Sequence, residues 1–175
     1  MRALQAKIAC AVASALVLAP FACVDTTHED AVQALGPEQG GVPPGPFHRP
    51  GQPCVTCHGG SGPASQQFSV GGTVYSVQGG GQPAVGAVVQ IEDITGSVWN
   101  VPTNAAGNFY VLLSDYSPKY PTSMQVTSVD GSQSQAMASF ALRDGSCADC
   151  HKNPQGPNSQ GPIYLALASA DGGTP

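Results

Sequence analysis

Two pentapeptides in this chain repeat one pattern. Cys54-Val55-Thr56-Cys57-His58 and Cys147-Ala148-Asp149-Cys150-His151 both read C-x-x-C-H. With six Cys and four His in 175 residues, one match is expected by chance at about 0.005 per chain and two at about one in 10⁵. The pair uses four of the six cysteines and two of the four histidines. Any fold for this chain has to present both clusters.

The spacing has a chemical reason. Two thiols two residues apart can each add to one vinyl group of the same porphyrin, and the adjacent His then lies beneath the ring as proximal ligand to the iron. The pentapeptide resembles the haem-attachment sequence of c-type cytochromes. That resemblance implies two covalently bound haem c groups, held by Cys54, Cys57, Cys147 and Cys150, with His58 and His151 as iron ligands. The rival is a single Cys₄ zinc site, or disulfides, joining the same two C-x-x-C pairs. Zinc needs no His after each pair, yet both pairs have one. The rival would make the chain a structural or adhesive module.

The N-terminus indicates export. Arg2 and Lys7 precede an apolar run from Ile8 to Ala22, the layout of a signal peptide. A run of roughly 15 residues is short for a membrane span, which needs about 20. Cys10 leaves with residues 1–22, and four cysteines go to the two motifs, so Cys23 is left over. Leu18-Ala19-Pro20-Phe21-Ala22-Cys23 resembles a bacterial lipobox, with Pro20 where that family usually has Leu and a bulky Phe21. The resemblance implies a lipid on Cys23 and a periplasmic or membrane-attached lipoprotein of a bacterial cell envelope. Removing residues 1–22 leaves four basic side chains against eleven acids, about −7, which argues against nucleic acid or anionic lipid as a partner. The expected partners are other redox proteins of the envelope. The membrane is contacted only through the lipid on Cys23.

Composition divides the chain. Residues 23–53 form a tether whose Pro43-Pro44-Gly45-Pro46 cannot continue a helix or central strand; a short helix near Glu29–Leu35 fits. Residues 54–67 form the first haem-binding segment, 68–145 a β-sandwich, and 146–175 the second haem-binding segment and tail. Between the motifs, Phe68–Ser76, Ala84–Ile94, Asn108–Leu113, Met124–Val129 and Ser134–Leu142 are rich in Val, Ile, Thr and aromatics, and read as short strands. Val89 and Ile91 alternate with Gln90 and Glu92, the period of a half-buried strand. Gly79-Gly80-Gly81 and Ala105-Ala106-Gly107 read as hairpin loops. Ile163–Ala168 reads as a last strand returning to the sheet. The expected fold is mainly β, a small antiparallel β-sandwich with covalent haem-binding segments at both ends. No internal repeat is evident beyond the pentapeptide.

A second resemblance supports the sandwich. Gly72-Thr73-Val74-Tyr75, Gly86-Ala87-Val88-Val89-Gln90-Ile91 and Thr103-Asn104-Ala105-Ala106-Gly107-Asn108-Phe109 are similar to the carboxypeptidase regulatory-like, or transthyretin-like, domain. The likeness covers roughly residues 68–140. It implies a seven-stranded sandwich with a mostly structural role and brings no catalytic residues.

The sixth iron ligands complete the expected sites. A second His or a Met gives an electron carrier, whereas an open position permits ligand or peroxide chemistry. His48 lies six residues before Cys54, and six extended residues reach roughly 20 Å, enough to pass around a porphyrin edge. For the second haem, Met137 is the first candidate and Met124 the next; a Met on a strand is also a common core filler. His28, flanked by Thr27, Glu29 and Asp30, reads as solvated. Trp99 and Tyr75 read as core, with haem packing as the alternative. No Ser/His/Asp set, carboxylate pair or phosphate loop is recognisable, and the expectation is a carrier, not an enzyme.

Overall fold

The computed structural model describes residues 25–38, 42, 44–79 and 81–167. The expected signal peptide, Cys23 and the end of the tail lie outside the described residues. The described chain is mainly β. Its strands are β1 (Phe68–Val77), β2 (Val88–Asp93), β3 (Val98–Pro102), β4 (Asn108–Leu112), β5 (Thr122–Thr127), β6 (Ser134–Ala136) and β7 (Ile163–Ala166). They form two sheets, ordered β4-β1-β7 and β3-β2-β5-β6. Three short helices complete the fold: α1 (Thr26–Ala34), α2 (Cys54–His58) and α3 (Cys147–Cys150). No helix among the described residues is long and apolar enough to cross a membrane.

Alternation builds the core. In β2, Val89, Ile91 and Asp93 are buried while Val88, Gln90 and Glu92 are exposed, because successive side chains leave opposite faces of a strand. Val89 and Ile91 meet Val70 and Val74 of β1, Phe109 and Val111 of β4, Val126 of β5 and Leu165 of β7. Val70, Val74 and Ile91 are 0% exposed, and each such burial is worth about 1.5–3 kcal/mol.

Most pairs are antiparallel: β1 with β4, β2 with β3 and β5, and β5 with β6. The exception is β7, which runs parallel to β1 with Val74 opposite Ile163. Ser146 already bridges Gly71 in the same parallel sense, and the Gly71 N–H donates to Gly145 O at 2.9 Å. One edge of β1 is therefore covered in two instalments. Between them, residues 147–162 leave beside Gly71 and return beside Val74. Those two strand positions are about 10 Å apart at the usual rise, so the excursion is a closed loop whose ends nearly meet.

Several expectations need correction. After β1 the chain folds back antiparallel, with Pro83 bridging Tyr75 and the Ser76 N–H donating to Gln82 O at 2.9 Å, so the turn expected at Gly79–Gly81 forms but leads on to the other sheet, and Ala105–Gly107 likewise lies between strands of different sheets. These loops carry the chain across the core. Hairpins between consecutive strands join β2 to β3 and β5 to β6. Strand β3 was not anticipated: its side chains alternate only between exposed and half-buried, which blurs the periodic signal. The expected strand over Ser134–Leu142 shortens to β6, then meets β5 through the Met137 N–H on Met124 O and the Thr122–Ala141 bridge, with Phe140 and Leu142 exposed. Near the N-terminus, the helix is α1, over Thr26–Ala34, starting earlier than Glu29 because the Asp25 side chain accepts from the His28 N–H.

Candidate functional site

Both C-x-x-C-H segments pack on β1. The contact is made at a glycine pair. A Cβ on Gly71 would come within 2.9 Å of Cys54 Cβ, and one on Gly72 within 2.8 Å of Cys147 Cβ. Consecutive strand residues face opposite ways. Cys54 therefore abuts the outer face of the three-stranded sheet, and Cys147 the inner face, beside Phe109 and the core. The β1 backbone stands between the two cysteines. Glycine inside a strand marks such close approaches.

The first segment lies over a cleft on the outer face. A register shift between Phe68 and Val70 interrupts the pairing with β4. Such a bulge re-aims a side chain, and here it turns Phe68 outward. The His58 ring stacks on Phe68 with centroids 4.0 Å apart, and Phe68 stacks on Tyr110 at 4.6 Å. His58 Nδ1 lies 2.9 Å from Gln66 O. The cleft, of about 550 Å³, is lined by His48, Cys54, Cys57, His58, Phe68 and Tyr110, with Val32 of α1 and Leu35 just after it on one side. Its volume falls in the usual range for cofactor pockets, about 300–1,000 Å³. The His48 and His58 ring centroids are 5.8 Å apart, at 65°.

A polar relay fixes His48 there. The Gly51 N–H donates to Thr73 Oγ1 at 2.8 Å, and the Thr73 hydroxyl donates to Asn108 Oδ1 at 2.7 Å. The Asn108 amide in turn donates to His48 O at 2.9 Å. Thr73 and Asn108 are buried, so each bond satisfies a group that could not reach water. Asn104 and Asn108 also donate to Pro46 O. Asn104, Asn108 and Thr73 thus dock residues 46–51 onto the sheet.

The second segment occupies the loop that interrupts the edge of β1. Ala148 is buried and Cys150 exposed. His151 Nδ1 lies 2.9 Å from Gly161 O, and the Gln160 N–H donates to Cys150 O, also at 2.9 Å. The two segments therefore share more than five residues. In each, a loop returns a carbonyl to the His Nδ1, and a strand starts two residues later, at Phe68 or Ile163. Those strands, β1 and β7, are parallel neighbours. The longer repeat was invisible in sequence because any residue supplies a backbone carbonyl.

The thiols are shielded. Burial pushes Cys54 up to about 11 and Cys147 up to about 12, because a thiolate loses hydration there. Burial also raises Cys57, against the pull of Arg49. Near the second segment, burial raises the Asp149 carboxyl, and Asp144 adds to the shift.

The remaining expected residues fall elsewhere. Met137 follows β6 and donates its N–H to Met124 O at 2.8 Å, so the two candidate methionines are cross-strand neighbours. Met124 packs against the core. Tyr75 is buried beneath Gly51, and Trp99 stacks on Tyr116 at 5.5 Å; neither lines the cleft. The solvated reading of His28 is corrected. It is half-buried, and its Nε2 is shielded without a hydrogen-bond partner, because α1 packs against α2. Gln66, Gly161, Thr73 and Asn108 were missed. Of the missed contacts, only the Gly71-Gly72 pair left a sequence signal, as glycines inside a strand pattern. No protein family, curated protein or solved structure matches the chain.

Proposed function

We propose that this chain is an exported dihaem c-type cytochrome that carries electrons in the cell envelope. Cys54 and Cys57 attach one haem, and Cys147 and Cys150 the other. His58 and His151 are the proximal ligands. The observation that carries the reading is the matched orientation of these two imidazoles, each with Nδ1 2.9 Å from a backbone carbonyl. That bond places the ring proton on Nδ1 and leaves the Nε2 lone pair for a metal.

His48 is the sixth ligand of the first centre. Its ring lies 5.8 Å from that of His58, so the two imidazoles would be within reach of one iron held in the cleft. For the second centre Met137 stays the candidate on chain separation alone, ten residues before Cys147. Haem iron with both axial positions filled exchanges one electron without ligand chemistry. Phe68, Tyr110, Val32 and Leu35 give the first centre apolar walls, and the docked residues 46–51 hold His48 in place. The seven strands suit a transthyretin-like support. A lipid on Cys23 would keep the carrier beside its redox partners. The position of β1 between Cys54 and Cys147 favours two separate sites over one four-sulfur zinc site.

The deciding experiment is expression in a host with a haem-ligation system. The expected result is a denatured band that stains for haem and has the mass of the chain plus two haems. A colourless band of apo mass rejects the proposal, and one equivalent of zinc replaces it with the structural reading. The carrier role has its own check: low-spin spectra in both oxidation states and poor carbon monoxide binding are expected. Ready carbon monoxide binding with peroxide turnover would reject it.

A further inference from the structure

Resting on that reading, we infer that Glu38 is the positioning residue for His48 and sets its donor strength toward the iron. His48 Nδ1 is buried and makes no closed hydrogen bond, and Glu38 Oε1 lies 3.3 Å from it. A small turn of the ring or the carboxylate closes that contact. The carboxylate itself is pinned. Arg49 Nε donates to the same Oε1 at 2.9 Å. The other guanidinium nitrogens donate to Leu35 O at 3.2 Å, Gly36 O at 2.6 Å and Gln52 Oε1 at 2.7 Å. Arg49 thus joins the carbonyls at the end of α1 to a residue two positions before Cys54. It holds Glu38 at the rim of the cleft.

The two imidazoles of this cleft therefore face different acceptors. His58 Nδ1 meets the neutral carbonyl of Gln66, whereas His48 Nδ1 meets a carboxylate. A charged acceptor draws the Nδ1 proton more strongly and makes Nε2 the better electron donor. A stronger axial donor favours oxidised over reduced iron, so Glu38 lowers the potential of the first centre. Second-layer hydrogen bonding of this kind is one of the means by which a protein tunes haem iron.

The test uses the full haem-loaded protein, with both midpoints measured by spectroelectrochemical titration. Glu38→Gln keeps the side-chain shape and removes the charge. The expected result is a rise in one midpoint, the other unmoved, with the spectrum still low-spin. A tenfold change in the oxidised-to-reduced preference corresponds to about 59 mV for one electron. Glu38→Asp recovers part of that shift, and Glu38→Ala additionally lets carbon monoxide bind that centre. Both midpoints unchanged in Glu38→Gln, or both moved equally, would overturn the inference while leaving the cytochrome reading intact. A wild-type protein that takes up no haem overturns both. Should Glu38→Ala fail to accumulate, the Glu38→Gln midpoints decide alone.

Discussion

The two C-x-x-C-H segments have the same residue pattern and the same histidine-to-carbonyl contact, yet their surroundings differ. The first sits on the outer face of the sheet, in a cleft closed by α1 and the docked residues 46–51, with His48, Glu38 and Arg49 around it. The second is a loop thrown out from the edge of β1, with Cys147 sunk against the core, Cys150 exposed and Asp144 and Asp149 nearby. A five-residue pattern sets the local geometry of thiols and imidazole. What surrounds them is set by whichever distant segments the sheet brings alongside. The same signature thus sits in two different surroundings within one small domain.

Four experiments press on this comparison. The largest effect comes from deleting thiols in pairs. Cys54→Ala with Cys57→Ala, or Cys147→Ala with Cys150→Ala, should each lower haem content from two per chain to one, read by intact mass. Loss of both haems from either deletion would break the picture of two separable sites.

Next, His48→Ala should turn one centre high-spin and open it to carbon monoxide, leaving the other low-spin. An unaltered spectrum would remove His48 from the ligand set. Met137→Ala makes the matching test on the second centre.

The glycine pair offers a finer division. Gly71→Val should crowd Cys54, and Gly72→Val should crowd Cys147 and Phe109. Each should destabilise the protein by about 1–3 kcal/mol, the usual cost of overpacking. Haem-peptide mapping should show Gly71→Val impairing attachment at the first segment and Gly72→Val at the second. Equal damage at both sites from either substitution would contradict the opposite-face arrangement.

The smallest effect is a labelling order in the chain made without haem. At pH 8, maleimide should reach the exposed Cys150 first and Cys54 and Cys147 last. With thiols raised to about 11 and 12, only about one in 10³ and one in 10⁴ are thiolate at that pH. Their ionisation lags because burial disfavours the charged form, so raising the pH should speed both, Cys54 before Cys147. Rapid labelling of all four at pH 8 would mean the segments are not packed on β1.

Part of this was readable in the chain itself. The strands β1, β2, β4, β5 and β7 were visible because apolar and β-branched residues cluster or alternate between turn residues, as Val89 and Ile91 do in β2. Chain reach allowed His48 to meet the first segment without requiring it, and the fold puts its ring 5.8 Å from that of His58. Strand β3 escaped because neither of its faces is well buried. The turns before Pro83 and at Ala105–Gly107 are legible as turns, but a turn signal does not say which sheet the chain enters next.

By itself, then, the sequence determined that two thiol pairs each carry an adjacent imidazole, and that a β-rich domain lies between them; both properties are local, set by spacing and side-chain chemistry. The tertiary structure alone decided that both segments meet on the two faces of Gly71 and Gly72. It also decided that a bulge turns Phe68 beneath His58, and that Asn108 and Thr73 anchor the backbone around His48. It brought Glu38 to His48. These contacts depend on backbone carbonyls, strand register and residues far apart in the chain, and none of those leaves a periodic mark in the order of amino acids.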